Sequence, residues 1–250
     1  MSSTQVDLKS EGSHATVMFH TDGGMNILSA DVLHSFGAIV AKVKKDSHIR
    51  TAAIQAEGKV FIAGADIKEM ANFTPDQARN YGELGQGILN DLAALPCITV
   101  AAIQGAALGG GLELALACDF RIAVKSAKLG FPEASLGIIP GWGGIVRCTK
   151  LIGPSHAKKL FLSANPVSGE EALGWGLVDE VMNSPEDLHH RVAAFCKSFR
   201  RASFAAVALA KRASRDLDEL SAFAECFAAR DSREGMSAFV EKRPASWMEG

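Results

Sequence analysis

Residues 105–119 read GAALGGGLELALACD, and the way this stretch folds decides how the rest of the chain is arranged. Three consecutive glycines lead into a run that is apolar apart from one acid, Glu113. Leu112, Leu114, Ala115, Leu116, Ala117 and Cys118 leave a helix here almost no polar face, so the helix is expected to be buried all round. An unpaired carboxylate in such surroundings is either strongly destabilising or holds its proton to higher pH. Glu113 is therefore a paired structural acid or a working one.

Outward from this stretch, strands and helices alternate. Upstream, 98–103 (ITVAAI) is a β-branched apolar run that suits a strand buried on both faces. Downstream, 120–124 (FRIAV) reads as another strand. Together, 97–118 form the longest apolar span, but Gln104, Glu113 and the glycines interrupt it. The expected order is strand, turn and helix rather than a membrane span. Further strands are expected at 14–19, 51–56 and 59–62. Ser29 can cap a helix running to about Lys45, and Thr74-Pro75 starts another that Pro96 stops near Ala94. This is the pattern of an α/β domain. Beyond Pro154 only 177–182 (LVDEVM) reads as a strand. Residues 185–241 read as successive alanine-rich helices, with Ser184-Pro185 as a start signal. The division drawn is a core of residues 1–190 and a helical region of residues 191–250.

Composition narrows the function classes. The chain has 250 residues, 48% of them hydrophobic, enough for a sizeable core. A net charge of −2 gives no bulk attraction to nucleic acid or anionic membrane. Lys42, Lys44, Lys45 and Arg50 form a modest basic cluster, read as a solvated helix face; an RNA-binding surface is the alternative. The five cysteines are scattered, odd in number and without a CxxC, which suits reduced thiols in a reducing compartment. MSSTQVDLKSEG lacks the basic start and apolar stretch of a signal peptide, so a soluble cytoplasmic protein is expected. The seven histidines are dispersed and His189-His190 begins no ligand pattern, so no metal site is expected. No GxSxG elbow occurs, and GAALGGG lacks the GxGxxG spacing of a dinucleotide fold.

Two stretches share a design: IAGADIKEM at 62–70 and ALGGGLEL at 107–114. Each runs from a strand through small residues into a helix start, where unpaired N–H groups point outward. Side by side, two such turns can aim two amides at one oxygen and so form an oxyanion hole. A glycine cluster alone equally serves tight turns and close packing. A second carboxylate, Glu133, follows Pro132 in GFPEASLGIIPGWGG, residues 130–144. It belongs to a helix's first turn or to an exposed turn. The strand at 120–124 can return the chain so that Glu113 and Glu133 face one cleft, where burial and repulsion would separate their acid and base roles. Asp66 and Asp119, at element ends, are expected to cap.

These motifs resemble the crotonase superfamily, specifically enoyl-CoA hydratases and isomerases. The resemblance covers nearly the whole chain and rests on five blocks in order. They are AGADIKEM at 63–70, GAALGGGLELALACD at 105–119, FPEASLGIIPGWGG at 131–144, GEEALGWGLVDEV at 169–181 and AFVEKRPASW at 238–247. The resemblance implies a spiral of ββα repeats followed by a C-terminal helical trimerisation region. It also implies a homotrimer or a hexamer of two trimers, an acyl-CoA thioester as substrate, and no metal or redox cofactor. The two oxyanion amides map to Ala65 and Gly110, and the catalytic glutamates of hydratases to Glu113 and Glu133. Substrate contacts map to Ala63, Ala65, Asp66, Ile67, Lys68 and Gly110, with Trp142 beside the acyl pocket. Phe239 and Lys242 match positions that approach the nucleotide end of coenzyme A from a neighbouring subunit.

By this resemblance Glu113 activates water for attack at the substrate Cβ and Glu133 supplies the proton at Cα. Three features depart from the family pattern. Ile145-Val146-Arg147 stands where a TQR-like run is common, Trp142 is bulky within its turn, and TDGGMNIL (21–28) has no lysine. The alternatives are Δ3-Δ2 enoyl-CoA isomerisation, which needs one proton-shuttling carboxylate, and a weakly catalytic RNA-binding or scaffold member.

Overall fold

A computed structural model describes residues 4–248; the first three residues of the opening MSSTQVDLKSEG lie outside it. The chain runs β1 (Gln5–Glu11), β2 (His14–His20), α1 (Ala30–Lys45), β3 (Thr51–Ala56), β4 (Val60–Ile62), α2 (Ile67–Met70) and α3 (Pro75–Ala93). It continues with β5 (Ile98–Ile103), β6 (Ala106–Leu108), α4 (Gly110–Ala117), β7 (Phe120–Val124) and β8 (Lys128–Gly130). A 3-10 turn (Pro132–Leu136) leads to α5 (Gly144–Ser163), which breaks at Gly153 before Pro154. Then follow β9 (Val167–Ser168), α6 (Gly169–Gly174), β10 (Glu180–Met182), α7 (Pro185–Ser198), α8 (Phe204–Asp216), α9 (Glu219–Cys226) and α10 (Arg230–Val240).

The strands form two sheets, ordered β1-β2-β3-β5-β7-β10 and β4-β6-β8-β9. Three successive ββα turns build them: β3 and β4, β5 and β6, β7 and β8 each give one strand to each sheet. All but the edge pairings β1–β2 and β8–β9 are parallel. This is a crotonase-like α/β fold with C-terminal helices.

Local signals set most elements. Ser29 caps α1 by accepting from the Val32 N–H. Thr74 and Gln77 close a capping box on α3, with Pro75 in the first turn. All six residues of β5 are buried, as expected for a central parallel strand. Lys42, Lys44 and Lys45 fill the last turn of α1, where the helix dipole favours cations. Lys44 pairs with Asp91 at 3.1 Å, and the Arg50 guanidinium lies over the Phe204 ring. Lys42, Lys44 and Lys45 are exposed on the helix as expected, whereas Arg50 is half-buried and lies off it, just before β3.

The sequence reading missed β1, β6, β8 and β9 and overextended the strand at 177–182. Three of the missed strands are only two or three residues long, too short to show a period. β1 does alternate, with half-buried Val6 and Leu8 between exposed Gln5, Asp7 and Lys9, a period-2 signal that the sequence reading passed over. Leu177 and Val178 are buried, but in the turn before β10. Asp66 caps α2, whereas Asp119 is not a simple cap. Its Oδ2 accepts from the N–H (2.7 Å) and Oγ1 (2.9 Å) of Thr99 and from Lys211 Nζ (2.6 Å), tying β5 to α8. Cys97, Cys118, Cys148 and Cys196 are free and buried, and Cys226 is free and half-buried. Among the described residues no helix is long and apolar enough to cross a membrane.

α4 lies between α3, α5 and strands of both sheets, with all eight residues buried. Gly111 permits this: a Cβ there would stand 2.2 Å from the carbonyl oxygen of Ile62. At the other end, Arg121 on β7 is 4% exposed. Its Nη1 donates to the carbonyls of Ala115 (3.4 Å) and Cys118 (2.9 Å), and its Nε to that of Leu177 (2.9 Å). Arg121→Met should take the side-chain donor from the Cys118 and Leu177 carbonyls and the ion pair from Asp179, and cost about 3 kcal/mol in urea unfolding. Stability equal to the parent protein's would refute the clamp.

Candidate active site

β4 and β6 pair in parallel, with Ile62 opposite Ala107, so the chain leaves both strands at one place. After β4, a parallel bridge joins Leu28 to Ala65. The Leu28 N–H donates to the Gly64 carbonyl (2.9 Å), and the Asp66 N–H to the Leu28 carbonyl (3.3 Å). In this pattern the Ala65 N–H points to the opposite edge. After β6, Gly109 takes φ +51° and ψ −122°, and α4 begins at Gly110. The Gly110 N–H, in the first turn, has no acceptor within the helix. A Cβ on Gly64 would lie 3.8 Å from the Gly110 nitrogen, so the two turns touch. Around them, Asp66 Oδ1 accepts from the N–H groups of Lys68 (2.9 Å) and Glu69 (3.4 Å). The Ala63 N–H donates to the Asn26 carbonyl (2.8 Å), while Ile67 and Lys68 are exposed.

Glu113 lies in the first turn of α4, 2% exposed. Its Oε1 accepts from the N–H groups of Trp142 (2.7 Å) and Gly144 (2.8 Å). Burial raises its pKa to about 7; those two N–H groups and Arg147 oppose the shift, and the charge of Glu133 adds to it. Glu133 lies in the first turn of the 3-10 segment after Pro132 and is buried, not in an exposed turn. Its Oε1 sits where a Cβ on Gly109 would come within 2.6 Å, and its Oε2 is buried with no partner. Burial also raises its pKa. The two acids therefore approach the Gly109-Gly110 turn, one from α4 and one from the 3-10 segment.

Trp142 is buried, with its ring over the positions that side chains on Gly85 and Gly110 would occupy. It meets the Tyr81 ring edge-on at 5.4 Å, and Tyr81 Oη donates to the Leu28 carbonyl at 2.8 Å. Trp142 is thus both a packing residue and a wall beside Gly110.

Adjacent amides flanked by two buried acids make a site for a polarised carbonyl. The profile of the Enoyl-CoA hydratase/isomerase family matches residues 9–250. The chain belongs to the enoyl-CoA hydratase/isomerase family. It is 39% identical to a crotonyl-CoA hydratase of Syntrophomonas wolfei, with 99% of each chain covered. It is 36% identical to a short-chain-enoyl-CoA hydratase of Clostridium acetobutylicum, with 97% of each covered. A crystal structure of an enoyl-CoA hydratase from Bacillus anthracis superposes with a TM-score of 0.89 at 32% identity, over 99% of each chain.

In this family member the fold brings Ala65, Gly110, Glu113, Glu133 and Trp142 together. Phe239 and Lys242 lie elsewhere, exposed at the end of α10, which packs on α8. Sequence reasoning missed the residues that brace the site. Asn26 Nδ2 reaches the carbonyls of Glu57, Val60 and Phe61 at 3.1–3.2 Å. Gln104 Nε2 reaches those of Ala56 (2.8 Å), Gly58 and Val60 (both 3.2 Å). Together they hold the segment that leads into β4. The available signal was a carboxamide beside an apolar run, at ITVAAIQ and in TDGGMNIL. Among the described residues no group of three or more His, Cys, Asp or Glu is placed to hold a metal ion.

The raised pKa of Glu113 has a consequence for stability. Between its ordinary value of 4.5 and about 7, the folded state holds a proton that the unfolded state has lost. Its contribution is therefore full below the lower value and is lost as pH rises through the upper one. Glu113→Gln removes this titration. Relative to the parent protein, it should gain about 3 kcal/mol between about pH 4 and pH 8 in denaturant unfolding. Parallel stability profiles would show that Glu113 titrates normally.

Proposed function

We propose that the chain is an enoyl-CoA hydratase that adds water across the 2,3 double bond of a 2-enoyl-CoA thioester. The observation that carries this reading is the pair of buried acids beside two adjacent backbone amides. The thioester oxygen sits between the N–H groups of Ala65 and Gly110, which stabilise the negative charge that develops there. Glu113, held by Oε1, uses its other oxygen to take a proton from water as the hydroxyl joins Cβ. Glu133, whose pKa burial raises, gives a proton to Cα. One proton is taken and one given, so the product is the neutral 3-hydroxyacyl thioester, and a proton passing from Glu113 to Glu133 resets the site. The chemistry draws its acid, base and donors from the chain, and coenzyme A is part of the substrate. The full-length relatives named for crotonyl-CoA and short-chain enoyl-CoA hydration support this class of substrate.

Glu113→Gln and Glu133→Gln should each lower kcat for crotonyl-CoA hydration by about 100-fold or more, with the protein still folded. The check is loss of the conjugated enoyl absorbance, with product identification. Near-normal turnover in either variant would remove that residue from the mechanism. Conversion of a 3-enoyl-CoA without hydration of the 2-enoyl isomer would favour the isomerase reading.

In this reading residues 1–190 are the acyl-CoA-binding core, residues 191–250 are the assembly region, and the free thiols suit the cytoplasm. The assembly is a homotrimer or a pair of trimers. Support comes from apolar side chains left uncovered on the C-terminal helices: Leu217 (89% exposed), Leu220 (80%), Phe223 (62%) and Phe239 (85%). Within the trimer, Phe239 and Lys242 meet the nucleotide end of a neighbour's coenzyme A, and Ala65, Asp66, Ile67 and Lys68 contact the coenzyme A bound to their own subunit. Light scattering should return about three or six times the chain mass of 26.4 kDa. A mass of one chain would overturn the assembly.

A further inference from the structure

We propose that Arg147 is a positioning residue for Glu113: it locks the Trp142–Gly144 turn that aims two N–H groups at the carboxylate, and it places a positive charge beside that acid. The proposal rests on Glu113 acting as the base. Arg147 lies in the first turn of α5 and is half-buried. Its Nη1 donates to the Trp142 carbonyl at 2.8 Å, and its Nη2 to Asn90 Oδ1 on α3 at 2.6 Å. The guanidinium therefore fixes one face of the Trp142 peptide region to a neighbouring helix. The N–H groups of Trp142 and Gly144 meanwhile hold Glu113 Oε1.

Fit around the turn is close. A Cβ on Gly143 would meet Arg147 Nη1 at 2.5 Å, and one on Gly144 would meet Glu113 Cγ at 2.7 Å. The arginine and the glutamate thus press on adjacent residues of the same turn, one on each. A rotation of this turn would move both donors off Oε1 together; Arg147 opposes it from inside the turn, beside Gln86 Nε2, which donates to the Gly141 carbonyl at 2.8 Å.

Few other charges act on Glu113. Glu133 approaches from the 3-10 segment and disfavours its ionised form, and Arg147 approaches from α5 and favours it. On β7, Arg121 is occupied with carbonyls at the far end of α4. On α3, Asp76, Arg79, Glu83 and Asp91 are exposed, and buried Tyr81 donates to the Leu28 carbonyl. β4 and β6 carry no titratable side chain. The N–H groups of Gly144 and Trp142 chiefly offset the burial of Glu113, and Arg147, which holds their turn, is the cation that adds to them.

The test uses Arg147→Met and Arg147→Gln, which remove the charge, Arg147→Lys, which keeps it, and Asn90→Ala, which removes only the outer anchor. Both neutral variants should move the acid limb of the kcat/KM profile for crotonyl-CoA upward by about one pH unit. At neutral pH kcat should fall while KM changes little, because the lost interaction orients the base rather than the substrate. Arg147→Lys should return the limb to its parent position. Asn90→Ala should keep the limb and lower kcat modestly. If Arg147→Met does not fold, Arg147→Gln, which can still donate to the Trp142 carbonyl, decides the matter. A parent-like limb in a folded neutral variant overturns the proposal. The same shift should appear without substrate, as a raised titration midpoint of Glu113 in carboxyl carbon NMR. Since that readout needs no turnover, a midpoint that moves in a protein that does not hydrate enoyl-CoA would sink the hydratase reading alone. A midpoint that stays put would sink the role of Arg147 alone.

Discussion

The structure depends on burying α4 on every side. A helix of eight residues without a polar face must be enclosed by other elements, and both of its ends must find hydrogen-bond partners. The C-terminal end is closed by Arg121, which reaches back from the next strand to the carbonyls of Ala115 and Cys118. The N-terminal end lies beside the turn that holds Ala65. Gly111 lets it press against the Ile62 carbonyl, and Gly109 makes the turn under Glu133. The C-terminal end serves stability, and the N-terminal end lies between Ala65 and the two acids.

The electrostatic arrangement at the N-terminal end works against the fold. Two buried acids each favour the neutral form, and the charge on one raises the pKa of the other. Two N–H groups and Arg147 compensate Glu113 in part, whereas Glu133 Oε2 has no partner at all. A buried polar atom without a partner is destabilising, and such atoms concentrate where a ligand is to be received. The protein tolerates this because the surrounding core is extensive and the loops are braced. Asn26 and Gln104 tie down the segment entering β4, and Tyr81 ties Trp142 to Leu28.

The C-terminal helices are joined to the sheet by a few specific contacts. Lys211 on α8 bonds both Asp119 (2.6 Å) and the Cys97 carbonyl (2.5 Å) at the edge of β5. Phe195 and Phe199 pack on Phe120 of β7. Beyond these contacts the outer faces of α9 and α10 stay apolar and uncovered, with Leu220 and Phe239 largely in solvent.

Local chemistry in the sequence determined much of this protein. Ser29, Thr74 and Ser184 announced their helices because capping is decided within three or four residues. ITVAAI announced a central strand because burial on both faces leaves an unbroken apolar run. GAALGGGLELALACD and FPEASLGIIPGWGG announced the two acids because a carboxylate in an apolar or proline-turn setting is unusual on its own. What only the tertiary structure decided lies in contacts between distant segments. The short strands β6, β8 and β9 exist because neighbours pair with them, and two or three residues carry no period to read. Asp119 looked like a cap and proved to be a link to Lys211, ninety-two residues away. Arg147 follows Ile145 and Val146, which depart from a familiar run, and its hydrogen bonds to Trp142 and Asn90 depend on how α3 and α5 pack around α4. Sequence spacing encodes periods and caps, which are local; the pairing of distant polar groups is fixed only when the core closes.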